Sequence, residues 1–293
     1  MKEISIYKTE EGHRRIVHQY EQYLNLLSFD FERVYVETTF GKTHVLVAGP
    51  VDGKPLFVLQ GGNCINPMTL SWFAPLIRKY RVYAPDTLGH PGYSKQTRLS
   101  VSDDSFANWI IEIMEHFMIK KCAFVGPSYG AGIILKVAEY SPERIECSIL
   151  ASPAGISIGS KFKMIKDILL PMTMFKMTSA EKHLDKVTNR MSNNEMKQID
   201  KQIIGDIFTH VKLERDMPSQ VKKSQLTNYQ SPTMVISGEE DVFFPAKQIN
   251  KRAKEVLPDQ TIIKTYKMGH FPSEKHLVEI NREINIFLDK YYV

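Results

Sequence analysis

Residues 122–140 read CAFVGPSYGAGIILKVAEY, and three features of that stretch set the architecture. CAFVG (122–126) is a short, continuous apolar run, the pattern of a strand buried on both faces. Tyr129 to Tyr140 has the composition of a helix and stops near Ser141-Pro142, where the residue before proline is pushed out of the helical region. Between them stands Gly126-Pro127-Ser128-Tyr129-Gly130, a G-x-S-x-G turn in strand–turn–helix context. So tight a turn strains the serine backbone, and side chains two residues before and two after it would collide, hence glycine at both positions. The turn lifts the serine Oγ clear of the strands and aims the N-terminus of the next helix at any negative charge forming there. Ala131 and Gly132 extend the small-residue run and allow close helix–strand packing.

Outward from this turn, strands and helices alternate. Upstream, residues 12–27 place Ile16, Tyr20, Tyr23, Leu24 and Leu27 on one helical face, expected to lie on the main sheet. RVYVETTF and THVLVAG flank Gly41-Lys42 as a hairpin. PLFVLQ follows the Asp52-Gly53 turn as a buried strand, and RVYAP (81–85) is another. A helix is expected from Ser102 to Met118, opened by Ser102-Asp103-Asp104. Downstream come strands at 145–152, 232–238 and 261–267, a helix over 245–256 and a last helix over the final twenty residues. The alternation predicts a mostly parallel sheet with helices on both faces, an α/β class fold.

One segment breaks the rhythm. From about Ile156 to Tyr229 there is no strand pattern, only helical stretches such as SAEKHLDKVTNRM and NEMKQIDKQIIGDIFTHV. The expected organisation is a core of residues 1–155 and 230–293, with residues 156–229 as a helical insertion over the C-terminal edge of the sheet, where ligands of open α/β sheets bind.

Serine needs a base to act as a nucleophile. His270, in Met268-Gly269-His270-Phe271-Pro272, follows the last strand and falls at that edge. Asp241, in Gly238-Glu239-Glu240-Asp241-Val242, follows the preceding strand and is the acid expected to orient it, with Glu239 and Glu240 as rivals. No acid occurs from Ala151 to Ile158, which removes the other common location. His90, in DTLGHPGYS, is expected to shape a loop, and the remaining histidines to be surface or packing residues. An oxyanion needs two N–H donors. Tyr129, just after the serine, supplies one; Gln60-Gly61-Gly62-Asn63 supplies the other, from Gly62 with Asn63 as second choice.

With FVLQGG, WFAPLIRKYRVYAPDTLGHPGYS, GPSYG, GEEDVFFP and GHFP in this order, the chain resembles the α/β-hydrolase superfamily over nearly its whole length. Its Thr39-Phe40-Gly41-Lys42-Thr43-His44-Val45 strand pair and N-terminal helix are similar to those of small bacterial carboxylesterases. The resemblance implies a cofactor-free serine hydrolase with Ser128, Asp241 and His270 as triad, a helical lid and a small-molecule ester substrate with an apolar acyl group. Two departures stand out. Gln60 replaces the usual histidine before the oxyanion glycine, and residues 86–94 lengthen the usual D-x-x-G-x-G-x-S loop. Thioester, lactone or C–C hydrolysis, perhydrolase chemistry and ligand binding without turnover stay open, because the lid rather than the triad selects the substrate.

The bulk properties agree. The 293 residues are 43% hydrophobic and 24% charged, enough for a sizeable core. The net charge of +5 is scattered; Lys161, Lys163 and Lys166 suit a solvated helix face, not a phosphate-tracking stripe, so no nucleic-acid partner is expected. Cys64, Cys122 and Cys147 show no metal spacing and are expected to be reduced thiols, with no basic neighbour in sequence to activate Cys64. MKEISIYKTEEGHRR lacks a signal-peptide core and no apolar run reaches the ~18 residues of a membrane span, so a cytoplasmic location is expected. The lid's methionines either line an acyl pocket or pack the lid on the body.

Overall fold

The computed structural model describes residues 5–293, so the first four residues of the N-terminal reading lie outside the described residues. Eight strands form one sheet: β1 Glu32–Thr38, β2 Gly41–Ala48, β3 Pro55–Val58, β4 Arg81–Pro85, β5 Cys122–Pro127, β6 Ile145–Ala151, β7 Thr233–Gly238 and β8 Ile262–Tyr266. Their order is β1-β2-β4-β3-β5-β6-β7-β8. β1 and β2 form the expected hairpin, but it turns at Thr39-Phe40, and Gly41 and Lys42 already pair with Thr38 and Glu37; β2 meets β4 antiparallel, and every pairing from β4 to β8 is parallel. The central strands β5 and β7 are buried along their whole length, while the edge strands β1 and β8 are mostly accessible.

The helices are α1 Glu10–Leu26, α2 Asn66–Phe73, α3 Ser105–His116, α4 Tyr129–Tyr140, α5 Lys161–Met164, α6 Leu170–Thr178, α7 Glu181–Ser192, α8 Gln198–His210, α9 Ala246–Val256 and α10 Glu274–Tyr291. Because strand side chains alternate between faces, one strand feeds two cores. Leu56 and Val58 join the core under α1, α2 and α10, and Phe57 and Leu59 the core under α3, α4 and α9. Ala123 and Val125 divide from Cys122 and Phe124 in the same way.

Two local expectations are refined. Helix α1 is capped by Thr9, whose Oγ1 accepts from Gly12 N, and it buries Ile16, Tyr20, Tyr23 and Leu24 as expected. It shares the core with the sheet, but its main neighbours are α8 and α2. Helix α3 begins three residues later than expected, because the Asp103 carboxylate accepts from Ser105 N at 3.0 Å and holds residues 102–104 as a turn.

Between β6 and β7 the chain is helical. α5 runs through a π turn, Ile165–Leu169, into α6. Pro171 has no N–H to give to the helix, and the widened turn just before it accommodates the loss. The segment reaches the loops at the C-terminal ends of several strands. Phe271 N donates to Met191 O, Gly159 N to Phe243 O, and a Cβ on Gly132 would lie 2.5 Å from Pro218. Near the other end of the chain, Tyr7 bridges Val211, with Lys8 N donating to His210 O and Lys212 N to Ile6 O.

Candidate active site

The turn between β5 and α4 is as tight as its sequence demands. Ser128 sits at φ 52°, ψ −115°, a region that L-residues rarely occupy. A Cβ at Gly126 would lie 2.7 Å from Gly130 C, and one at Gly130 would lie 2.4 Å from Leu59 O. Backbone hydrogen bonds hold the strained residue: Ser128 N donates to Ala151 O at 2.8 Å, and Ser128 O accepts from Gly132 N and Ala154 N. Ser128 stays partly accessible at the head of α4.

His270 and Asp241 come together. Nδ1 of His270 lies 2.8 Å from Asp241 Oδ2, and both residues are buried. The other carboxylate oxygen, Oδ1, accepts from Phe243 N at 2.8 Å and Phe244 N at 3.0 Å. Burial alone would raise the Asp241 pKa. The facing imidazole and these hydrogen bonds outweigh it and hold the carboxyl below its ordinary value. A charged, acceptor-only carboxylate fixes the proton on Nδ1 of a neutral imidazole and leaves Nε2 as the basic nitrogen. Phe243, Phe244 and Phe271 surround the ring at 4.9, 5.6 and 5.9 Å between centroids. Of the rival acids, Glu239 is exposed and Glu240 half-buried, and neither pairs with His270. No hydrogen bond joins Ser128 Oγ to His270 Nε2, a contact that commonly tightens only with substrate.

The loop after β3 approaches the same place. Gly61 N donates to Thr69 Oγ1, whereas the N–H groups of Gly62 and Tyr129 meet no protein acceptor among the described residues. A Cβ on Gly62 would lie 3.1 Å from Tyr129 Cβ, so the two donors belong to closely apposed backbones. Gln60 is fully buried. Its Nε2 donates to Cys64 O at 2.5 Å and Pro91 O at 3.1 Å, and its Oε1 accepts from Thr87 N at 2.7 Å. Asn63, at φ 49°, exchanges two hydrogen bonds with the Glu214 backbone, Nδ2 to O at 2.9 Å and N to Oδ1 at 2.8 Å. This clamp between the glycine loop and the segment after α8 had no signal in the sequence, since 151 residues separate its partners.

His90 lies in this neighbourhood but outside the pair. It is buried against the Tyr129 ring at 4.7 Å, Nδ1 lies 3.3 Å from Leu88 O, and Nε2 has no partner. Burial pushes its pKa down to about 4, so it is neutral near pH 7. Cys64 is buried with Sγ 3.1 Å from Gly61 O, and burial drives the thiol up to about 12, which removes it as a nucleophile. A second Asp–His pair has no signature in the sequence. His44 Nδ1 lies 3.0 Å from Asp86 Oδ2, and Asp86 also accepts from Tyr20, Asn66 and Tyr93 N. It is sealed in the core with no hydroxyl aligned on His44 Nε2, and it ties α1, β2 and the loop after β4 together.

The methionines of the helical segment divide. Met191 is buried, and Met172 and Met196 pack on a cluster containing Phe175, Val187 and Val242, while Met174, Met177 and Met217 face outward. A surface hollow of about 710 Å³ lined by Lys121, Glu139, Tyr140 and Pro142 lies at the opposite end of the strands and holds none of these groups.

Comparison with known proteins agrees with this fold. The sequence profile of the alpha/beta hydrolase fold matches residues 54–194, from just before β3 to the end of α7. Carboxylesterase YbfK of Bacillus subtilis is 24% identical over 284 residues, 95% of each chain. The naproxen esterase structure from Bacillus subtilis superposes with a TM-score of 0.83 at 23% identity, covering 96% of this chain and 99% of that one. This chain has the α/β-hydrolase fold. The architecture is also shared with a meta-cleavage product hydrolase from Pseudomonas fluorescens IP01, at TM-score 0.69 and 16% identity over 88% of this chain and 97% of that one. Among proteins of this fold, it resembles the small bacterial carboxylesterases over almost its full length.

Proposed function

We propose that this protein is a serine hydrolase that cleaves carboxylic esters of small molecules through an acyl-enzyme. Ser128 Oγ attacks the ester carbonyl while its proton passes to His270 Nε2. Asp241 holds the imidazole and stabilises the cation so formed. The Gly62 and Tyr129 amides receive the oxyanion. The tetrahedral adduct collapses, the proton on Nε2 goes to the departing alkoxide, and the acyl group stays on Ser128. Water, deprotonated by the same imidazole, then releases the acid and restores the serine. No cofactor enters this chemistry.

The observation that carries the proposal is the buried His270–Asp241 pair at 2.8 Å, on the same sheet edge as a serine held in a strained, accessible turn. Full-length similarity to bacterial carboxylesterases supports ester over other acyl substrates. We further assign residues 156–229 as a lid on a core built from residues up to 155 and from 230 on. Its contacts with Phe271, Phe243 and Asn63, each beside a proposed site residue, support that division. Val242, Phe243, Phe271 and Met191 around the histidine suit an apolar acyl group. The three buried free thiols suit a reducing, cytoplasmic setting, and no helix among the described residues is long and apolar enough to cross a membrane.

The test is hydrolysis of p-nitrophenyl esters from acetate to decanoate by the wild type and Ser128→Ala in parallel. The proposal expects activity that disappears in the variant. Equal activity in both proteins would place the nucleophile elsewhere, and none in either would remove the esterase assignment.

A further inference from the structure

The helix that starts the segment between β6 and β7 carries an apolar face that nothing among the described residues covers. Phe162, Ile165, Leu169, Leu170, Met174 and Met177 are all exposed, Phe162 and Met177 by 73% and 76%. They are six of the sixteen large hydrophobic residues exposed among the described residues. Most of the others are scattered singly, as on any soluble surface; six on one helix make a patch.

The backbone explains how six positions share a side. Phe162 and Ile165 are three apart, and Leu170, Met174 and Met177 follow at steps of four and three, all helical spacings. Ile165 to Leu170 is a step of five, which an α-helix would rotate off the face. The π turn over Ile165–Leu169 has i→i+5 geometry and keeps the face in phase. The inner side of the same helix is spoken for, since Ile168 and Phe175 are buried against Leu184, Val187 and Phe208.

The charges beside the patch have one sign. Lys161, Lys163 and Lys166 are exposed and have no acidic partner among the described residues. The one acid on the helix, Asp167, is held by Arg190 at 3.2 Å, and on the adjoining α7 Glu181 and Asp185 are both held by Lys201. A helix with an outward apolar face and unpaired lysines matches a bilayer whose interior takes the apolar side chains and whose anionic headgroups meet the ammonium groups.

We propose that the outward face of residues 161–177 docks on an anionic lipid bilayer, lying in its interface without spanning it. Adsorption there would bring the C-terminal edge of the sheet close to membrane-dissolved molecules, whatever bond the enzyme cleaves.

The test is co-sedimentation of the full chain carrying Ser128→Ala, so that hydrolysis plays no part, with vesicles of dioleoylphosphatidylglycerol or dioleoylphosphatidylcholine. The expected result is binding to the anionic vesicles, weakened by salt and much weaker on the zwitterionic ones. Combined Lys161→Gln, Lys163→Gln and Lys166→Gln should lower the partition coefficient on the order of 100-fold, since each lysine near such a surface contributes about fivefold. Phe162→Ser with Met177→Ser should lower it by at least about tenfold. Val278→Ser with Ile286→Ser on α10, exposed apolar residues elsewhere, should leave it unchanged. These side chains are exposed, and circular dichroism and melting curves verify that each variant is folded. Absence of binding to the anionic vesicles, or an equal loss in the α10 variant, would overturn the proposal. So would sedimentation equilibrium showing that Phe162→Ser with Met177→Ser only dissolves a dimer that never binds vesicles, which would assign the face to a second copy of the chain.

Discussion

Burial of His90 ties the stability of the whole fold to pH in a way that one substitution can isolate. The side chain is 2% exposed, one ring nitrogen has no partner, and the folded pKa lies at about 4 against 6.5 for a free imidazole. The unfolded chain therefore takes up a proton below pH 6.5 that the folded chain refuses until about pH 4. A depressed folded pKa contributes stability that is complete above the unfolded value and disappears as pH falls towards the folded one. At 1.36 kcal/mol per unit, the contribution lost is about 2 kcal/mol at pH 5 and about 3 kcal/mol at pH 4. The pH 7 to 5 interval is the useful one, because Asp241, held below its ordinary range, titrates beneath it. Urea unfolding of the wild type and His90→Gln at pH 7, 6 and 5 is the assay. Whatever His90→Gln costs at pH 7, the wild type should lose about 2 kcal/mol more than the variant on going to pH 5. Parallel losses in the two proteins would refute the reasoning and mean that His90 accepts its proton without leaving the fold.

Other consequences concern the site. Asp241→Asn keeps the shape but can donate to His270 Nδ1 and present the wrong tautomer, so kcat for ester hydrolysis should fall by about 10⁴ with the melting temperature little changed; a loss under tenfold would remove Asp241 as the orienting acid. Ser128 holds its φ of 52° at a cost that glycine would relieve, so Ser128→Gly should be more stable than Ser128→Ala by about 1–2 kcal/mol in urea unfolding, although both lack the proposed nucleophile; equal stability would mean that the turn carries no strain. Gly130→Ala drives a Cβ to 2.4 Å from Leu59 O and should cost about 3 kcal/mol, while Gly61→Ala, whose nearest neighbour would be 3.4 Å away, should stay within about 1 kcal/mol; similar melting temperatures for the two would contradict the packing described.

What could be read in advance follows from how local each feature is. The glycines around Ser128 answer to atoms a few residues away, or to the adjacent strand, so the turn is written in five letters. Asp241 and His270 follow consecutive strands that pair in parallel, and chain order alone delivers them to one edge. The sequence had no means of announcing that Asn63 meets Glu214, that Tyr7 bridges Val211, or that His44 and Asp86 form a second buried His–Asp pair, because each joins segments with no shared periodicity. The outward apolar face of residues 161–177 was hidden for a related reason. Its steps of three, four and five do not fit one helical period, and only the π turn reconciles them.

The most conspicuous sequence departure turns out to have a physical logic. A neutral imidazole offers one donor and one acceptor, whereas a primary amide offers two donors and an acceptor. Gln60 uses all three at once: one donor fixes Cys64 O within the glycine loop, the other reaches Pro91 O, and the acceptor takes Thr87 N. The loop after β3 is thereby tied to residues 87–91 from within the core, while Asn63 ties its outer end to Glu214. Donors serve an oxyanion best when they need not reorganise as the charge appears. With both ends of the loop held, the Gly62 amide, the proposed oxyanion donor, has its direction before any substrate arrives. In this chain glutamine performs a three-bond task that a single histidine could not, and the lengthened 86–94 loop supplies two of the three partners.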